Sequence, residues 1–176
     1  VRAVRASSAV LMVAIPSATG FEALGAAVMV RGAKGVSVLT DAGVVLDPAT
    51  GMVRNGLVVF VMGSKRGAPP PGPYPLAIER IDHRSRLAVV SFKGLSGLAG
   101  LEIAGSGASL GDLVSAVGHG SLTGAWTLSQ GLVTASGSHA YRSDATLGPD
   151  FGGSALINSA GELAGVAVLA DSGIYA

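Results

Sequence analysis

The chain has 176 residues, enough for one large domain or for two small barrels sharing an interface. Hydrophobic residues make up 49% of it and charged residues only 13%, which excludes a disordered or charge-driven tail protein. Twelve Lys and Arg against eleven Asp and Glu leave a net charge of +1, too little to hold nucleic acid or an acidic membrane, and the absence of cysteine excludes disulfides and thiolate metal sites.

The chain begins at Val1 rather than at methionine, so a processed or excised segment is expected and the compartment stays open. Val1–Ser8 is long enough for one short helix. The apolar run Ala9–Ile15 is too short to span a bilayer, and no cleavable signal pattern precedes it, so no membrane insertion is expected in this segment. It reads instead as the first of many short, valine-rich strands: Ala26–Arg31, Gly35–Thr40, Leu57–Met62, Leu76–Ile81 and Leu87–Phe92 follow. Asp47-Pro48, Thr50-Gly51 and Asn55-Gly56 mark turns between them. Gly63–Pro75 concentrates proline and glycine and reads as a loop, with a polyproline II run at Pro69–Pro71.

The glycine- and serine-rich stretch Gly94–Gly111 reads as a linker between residues 1–93 and residues 112–176. Strands then resume at Leu113–Gly118, Trp126–Ala135, Tyr141–Ala145, Ala155–Asn158 and Leu163–Leu169, the last two joined by a hairpin loop at Asn158–Glu162. No stretch keeps helical periodicity over three turns. The pattern predicts an all-β domain of roughly a dozen strands in two sheets or barrels.

Four blocks carry more than strand periodicity. Gly25–Val45, GAAVMVRGAKGVSVLTDAGVV, is similar to G-S-G-V-I-V…G-Y-I-L-T-N-A-H-V-V. Asp82–Val90, DHRSRLAVV, is similar to D-P-R-T-D-L-A-V-L. Gly111–Gly137, GDLVSAVGHGSLTGAWTLSQGLVTASG, follows G-D-W-V-L-A-I-G-N-P-F-G…T-V-T-S-G-I-V-S-A-L-G. Ala145–Asn158, ATLGPDFGGSALIN, aligns without a gap to A-A-I-N-P-G-N-S-G-G-P-L-V-N and is followed by GELAGVAV at Gly161–Val168. Each block is weak alone, but four in order over nearly the whole chain resemble the HtrA/Deg family of trypsin-like serine proteases.

That resemblance implies two packed six-stranded antiparallel β-barrels of the chymotrypsin type. It also places the catalytic triad, and there this chain departs from the pattern. Gly43 stands where the family has its histidine base, Arg86 where it has the orienting aspartate, and Gly152 where it has the nucleophilic serine. A glycine has no atom to attack a carbonyl or to take a proton. Asp150 replaces the glycine whose N–H serves the oxyanion hole, and a carboxylate there repels developing negative charge. The expectation is a trypsin-like domain without protease chemistry, a binding, scaffolding or regulatory module for peptides or partner proteins. Asp41, Arg86, Asp150, Phe151 and Ser154 would line its cleft. Arg86 is expected either to pair with Asp41 or Asp150 and close the vacated site, or to rest its stem on the surface with its head in water.

Two alternatives stay open. One is a hydrolase with a relocated nucleophile, Ser154, served by His119 or His139 and by Asp144 or Asp150. Against it, a serine beside Gly153 and Ala155 reads as a strand-start hydroxyl bonded to backbone. The other is a structural domain whose sparsely charged surface packs on neighbouring domains or on copies of itself. His83, His119 and His139 match no compact metal spacing, so no metal and no cofactor are expected. Gly152-Gly153-Ser154 lacks the lysine of a phosphate loop, and 5% aromatic residues give no stacking platform for nucleic acid.

Overall fold

The computed structural model describes residues 6–33, 35–61, 71–94, 97, 99–119, 126–170 and 173–175. After a 3-10 turn at Ser7–Ala9 the chain lays down β1 (Val10–Ser17), β2 (Gly20–Gly32), β3 (Gly35–Asp41), a one-turn helix α1 (Ala42–Val45), β4 (Val58–Val61), β5 (Tyr74–Asp82) and β6 (Leu87–Phe92). These strands close an antiparallel barrel in the order β1-β2-β3-β6-β5-β4. Helix enters the described chain only as Ala6, α1 and two 3-10 turns, in line with an all-β architecture.

The second half contributes β7 (Leu113–His119), β8 (Trp126–Ser136), β9 (Tyr141–Ser143), a 3-10 turn at Pro149–Phe151, β10 (Ala155–Ile157), β11 (Leu163–Val166), β12 (Val168–Ala170) and β13 (Gly173–Tyr175). They form a sheet ordered β11-β10-β7-β8-β9-β13-β12. Its two outermost strands are consecutive pieces of one stretch, broken only at Ala167. The break comes where the Ala167 N–H and C=O turn to pair with Ser154 and Gly153. Counted as one bent strand, that stretch curls the sheet round as a second, half-closed barrel. The fold is of the chymotrypsin type.

Thirteen residues make β2, more than twice the span its valine-rich core predicts, because Gly20–Leu24 continues the hairpin with β1 through the register Ser17↔Gly20 to Ala14↔Ala23. Its buried run Ala26–Val30 does not alternate with polar residues because both faces are covered. Ala27 and Met29 point into the first barrel with Leu11, Val13, Val45 and Val59. Ala26, Val28 and Val30 point the other way, against Val117, Ala155, Ile157 and Val166 of the second half. That second layer is the inter-barrel core.

Further differences from the sequence pattern have local causes. Most of the short helix expected at Val1–Ser8 lies outside the described residues; of the rest, Ala6 is helical and Ser7–Ala9 form a 3-10 turn. Of Gly63–Pro75, residues 63–70 and with them two of the three prolines of Pro69–Pro71 also lie outside, while Tyr74 and Pro75 already belong to β5. Pro75 is tolerated as the second residue of that strand. The stretch Gly94–Gly111 is a strap rather than a free connection. Leu101 pairs with β2, its N–H donating to Met29 and its carbonyl accepting from Arg31, and two residues later Leu163 of β11 bonds both Glu102 and Ala104. An Arg31–Glu102 ion pair at 2.9 Å, exposed on both sides, accompanies it.

Candidate functional site

Gly43, Arg86 and Gly152 gather around one buried side chain, Asp41. Asp41 caps α1, accepting the Gly43 N–H on Oδ1 at 2.8 Å, as an N-cap carboxylate does. Its Oδ2 accepts the Leu169 N–H of β12 at 3.0 Å, across 128 residues of sequence. The side chain is only 2% exposed. Burial pushes the Asp41 carboxyl above the usual carboxylate range, opposed by the Gly43 and Leu169 N–H groups and by the nearby Arg86 charge.

Gly43 and Arg86 flank this carboxylate. A Cβ on Gly43 would stand 3.4 Å from Asp41 Oδ1 and 3.5 Å from Arg86 Nη2. Arg86 ends the turn His83–Arg86 with φ of 57°, a left-handed backbone that costs a non-glycine residue about 1–2 kcal/mol. Two long bonds hold it there. Its carbonyl accepts the Ala42 N–H at 2.7 Å, and its Nη2 donates to the Leu169 carbonyl at 3.1 Å. From an exposed position Arg86 thus works beside Asp41: the two grip opposite polar groups of Leu169 and tie β12 to the turn and to α1.

Gly152 completes the cluster. Its carbonyl accepts the Ala26 N–H at 2.8 Å, and a Cβ added to it would come 3.1 Å from Val44 Cγ2 and 3.3 Å from Asp41 Oδ2. The strand β2 can approach that closely only because residue 25 is glycine; a Cβ there would sit 2.6 Å from the Gly152 carbonyl oxygen. Gly153 follows with φ of 79° and its amide bonded to Ala167, and a Cβ on it would collide with the Ala26 carbonyl oxygen.

The loop before Gly152 is wound as the 3-10 turn Pro149–Phe151, with Phe151 N–H on the Gly148 carbonyl and Ser154 N–H on the Phe151 carbonyl. Asp150 is half-buried and folds its carboxylate back over Gly148, 2.7 Å from where a Cβ on that glycine would be. Phe151 and Ser154 do not face a cleft. Both are buried in the second barrel against Gly118, and the Ser154 Oγ, fully enclosed, has no hydrogen-bond partner. The reason is the strand that begins at Ala155: its first residues continue straight into the core with Leu156.

Of the partners drawn for a relocated triad, Asp144 and His139 are engaged or exposed elsewhere. Asp144 accepts the Leu132 N–H at 2.6 Å, holding β8 to the loop after β9. His139 is exposed between β8 and β9, His83 is exposed in its turn, and of His119 only the backbone is described. No group of three metal-ligating side chains forms among the described residues. None of the described helices is long and apolar enough to cross a membrane.

A cleft of about 820 Å³ opens on the other side of Arg86, between the β5–β6 turn, the strap and the β8–β9 loop. Gly43, Gly152 and Asp41 do not line it; Arg86 and Val168 do. Periodicity could not find it, because its walls come from four segments of low sequence contrast.

Two packed antiparallel barrels, with the loops of both meeting at one buried point, define the trypsin-like class of serine protease fold. The family model described as "Trypsin-like peptidase domain" matches residues 25–166, well over half of the chain, and the protein belongs to that family. Among solved structures it is similar to the crystal structure of the serine endoprotease from Yersinia pestis, with a TM-score of 0.74 and 25% sequence identity over 99% of this chain. The match is HtrA-like, and the chain spans 60% of that longer protein. Comparison with curated proteins gives no match.

Proposed function

We propose that this domain is a catalytically inactive member of the trypsin-like family that works by binding, as a scaffolding or regulatory module for a peptide or protein. The observation that carries the reading is the cluster around Asp41. Gly43 and Gly152 offer no base and no nucleophile, and Arg86 brings a cation where a base's partner would stand. With all three members of a triad replaced, what is left to a protease site is oxyanion stabilisation and binding. The 3-10 turn at Pro149–Phe151 and the Asp150 carboxylate work against the first of these. Ser154 is a poor substitute nucleophile, since its hydroxyl is enclosed and, among the described side chains, has no base beside it, so it can neither lose its proton nor meet a carbonyl.

The test is a fluorophosphonate probe together with unfolded casein, on the wild type and on Ser154→Ala. No labelling and no cleavage are expected; labelling that disappears in Ser154→Ala overturns the reading. A second reading, a structural domain that covers or organises its neighbours, draws on Leu110, Leu113, Leu128 and Leu132. These four stand about half exposed or more along the outer face of β7 and β8 and the turn before them. Light scattering on the isolated domain tests its self-associating form, and a monomer at all concentrations removes that form.

A further inference from the structure

The cleft beyond Arg86 has the makings of a binding site that the vacated triad does not explain. Its floor is apolar, with Leu87 and Leu39 from the first barrel and Val166 and Val168 from the second, and Ile103 of the strap overhangs it, 61% exposed. Its charge is one-sided. Arg84 and Arg86 line it, and His139 adds imidazole nitrogens at the opposite wall. The single acid there, Asp82, is already engaged, accepting the Arg84 N–H at 2.9 Å and the Ser85 N–H at 3.4 Å to hold its own turn. Arg86 spends Nη2 on the Leu169 carbonyl, which leaves most of its donor fork uncommitted. Tyr141 borders the same cleft, 7% exposed and packed into the core of the second barrel.

An apolar floor beneath two guanidinium groups suits a ligand with one carboxylate and one or two apolar side chains. The walls favour a peptide over an acyl chain. Gly107 brings uncrowded backbone to the rim, where peptide N–H and C=O groups can pair and a hydrocarbon cannot. The volume lies in the range that encloses a small ligand or a few residues.

We propose that this cleft binds the carboxyl-terminal end of a peptide, its carboxylate held by Arg84 and Arg86 and its last apolar side chain seated over Leu87, Val166 and Val168. The proposal goes beyond inactivity: it names the partner chemistry, and rests on the earlier reading only in that the domain acts by binding. Charge-assisted, two-armed recognition of a carboxylate is what arginine does best.

The experiment is fluorescence anisotropy with the whole chain and one probe in two forms, fluorescein-Ala-Ala-Val-Leu as the free acid and as the terminal amide. The acid is expected to bind at least tenfold more tightly. Arg84→Ala, on an exposed turn and away from the Leu169 grip, should remove about tenfold to a hundredfold of the acid's affinity, the effect of one lost charged hydrogen-bonding group, with the thermal midpoint unmoved. Chemical shifts at Tyr141 and His139, rather than at Gly43, should report the site. Equal binding of acid and amide, an unaltered affinity in Arg84→Ala, no saturable binding, or dimerisation that buries the cleft in a second copy would each overturn it. Cleavage of casein would sink the inactivity reading and leave this one standing.

Discussion

Replacing Asp41 tests the central cluster most directly. Asp41→Ala strips the acceptor from two N–H groups, those of Gly43 and Leu169, in a place where the carboxylate is nearly sealed from water. Each buried donor left without a partner costs about 1–3 kcal/mol, and with Arg86 also losing its nearby anion the total should be about 3–5 kcal/mol. Asp41→Asn keeps one carbonyl acceptor and should cost less, about 1–2 kcal/mol. The two differ in their pH dependence from wild type as well as in size. Because burial raises the Asp41 pKa in the folded state, the folded protein binds more protons than the unfolded one, and the stability this group contributes falls as pH rises from its ordinary value through its folded value. The advantage of wild type over Asp41→Asn should therefore be largest at low pH and shrink toward neutrality. Urea denaturation of the three proteins between about pH 4 and pH 8 measures this, and hydrogen exchange at Leu169 should accelerate in Asp41→Ala. A cost below about 1 kcal/mol for Asp41→Ala, or an Asp41→Asn penalty that grows with pH, would refute the reasoning.

Gly153→Ala puts a Cβ against the Ala26 carbonyl at a left-handed φ, and should destabilise by more than about 3 kcal/mol in urea; Gly51→Ala, also left-handed but in open space, should cost only about 1 kcal/mol. Ser154→Ala removes a buried hydroxyl that has no partner, so the thermal midpoint should hold or rise by the equivalent of up to about 1 kcal/mol. A marked loss of stability in Ser154→Ala would mean that the hydroxyl makes a bond its surroundings do not reveal.

Much of the barrel architecture is readable because β3, β4 and β6 are short valine-rich runs bounded by turn residues. That Gly43, Arg86 and Gly152 meet is likewise foreshadowed by the order of the four blocks. The role of Asp41 is only half visible. Its capping of α1 follows from Thr-Asp-Ala-Gly, but its bond to Leu169 depends on tertiary packing that no local pattern records. Ser154 does stand at the start of β10, but its hydroxyl makes none of the backbone bonds expected of it, and it and Phe151 are buried rather than lining a cleft, because tertiary packing of β10 and the turn before it draws both inside. Gly94–Gly111 reads as a linker because its composition is poor in strand formers, yet its backbone bonds outweigh its propensity.

That strap changes how the two halves can be taken apart. Leu101 bonds β2 and Glu102 and Ala104 bond β11, so a few consecutive residues of one segment bridge to both barrels at once. Cutting the chain near residue 94 would therefore not release two independent halves: the second half would carry away a piece of the first one's sheet and leave Met29 and Arg31 with open backbone groups. The two barrels are therefore stitched by backbone bonds from one short segment, and parting them also strips Leu163 of its bonds to Glu102 and Ala104.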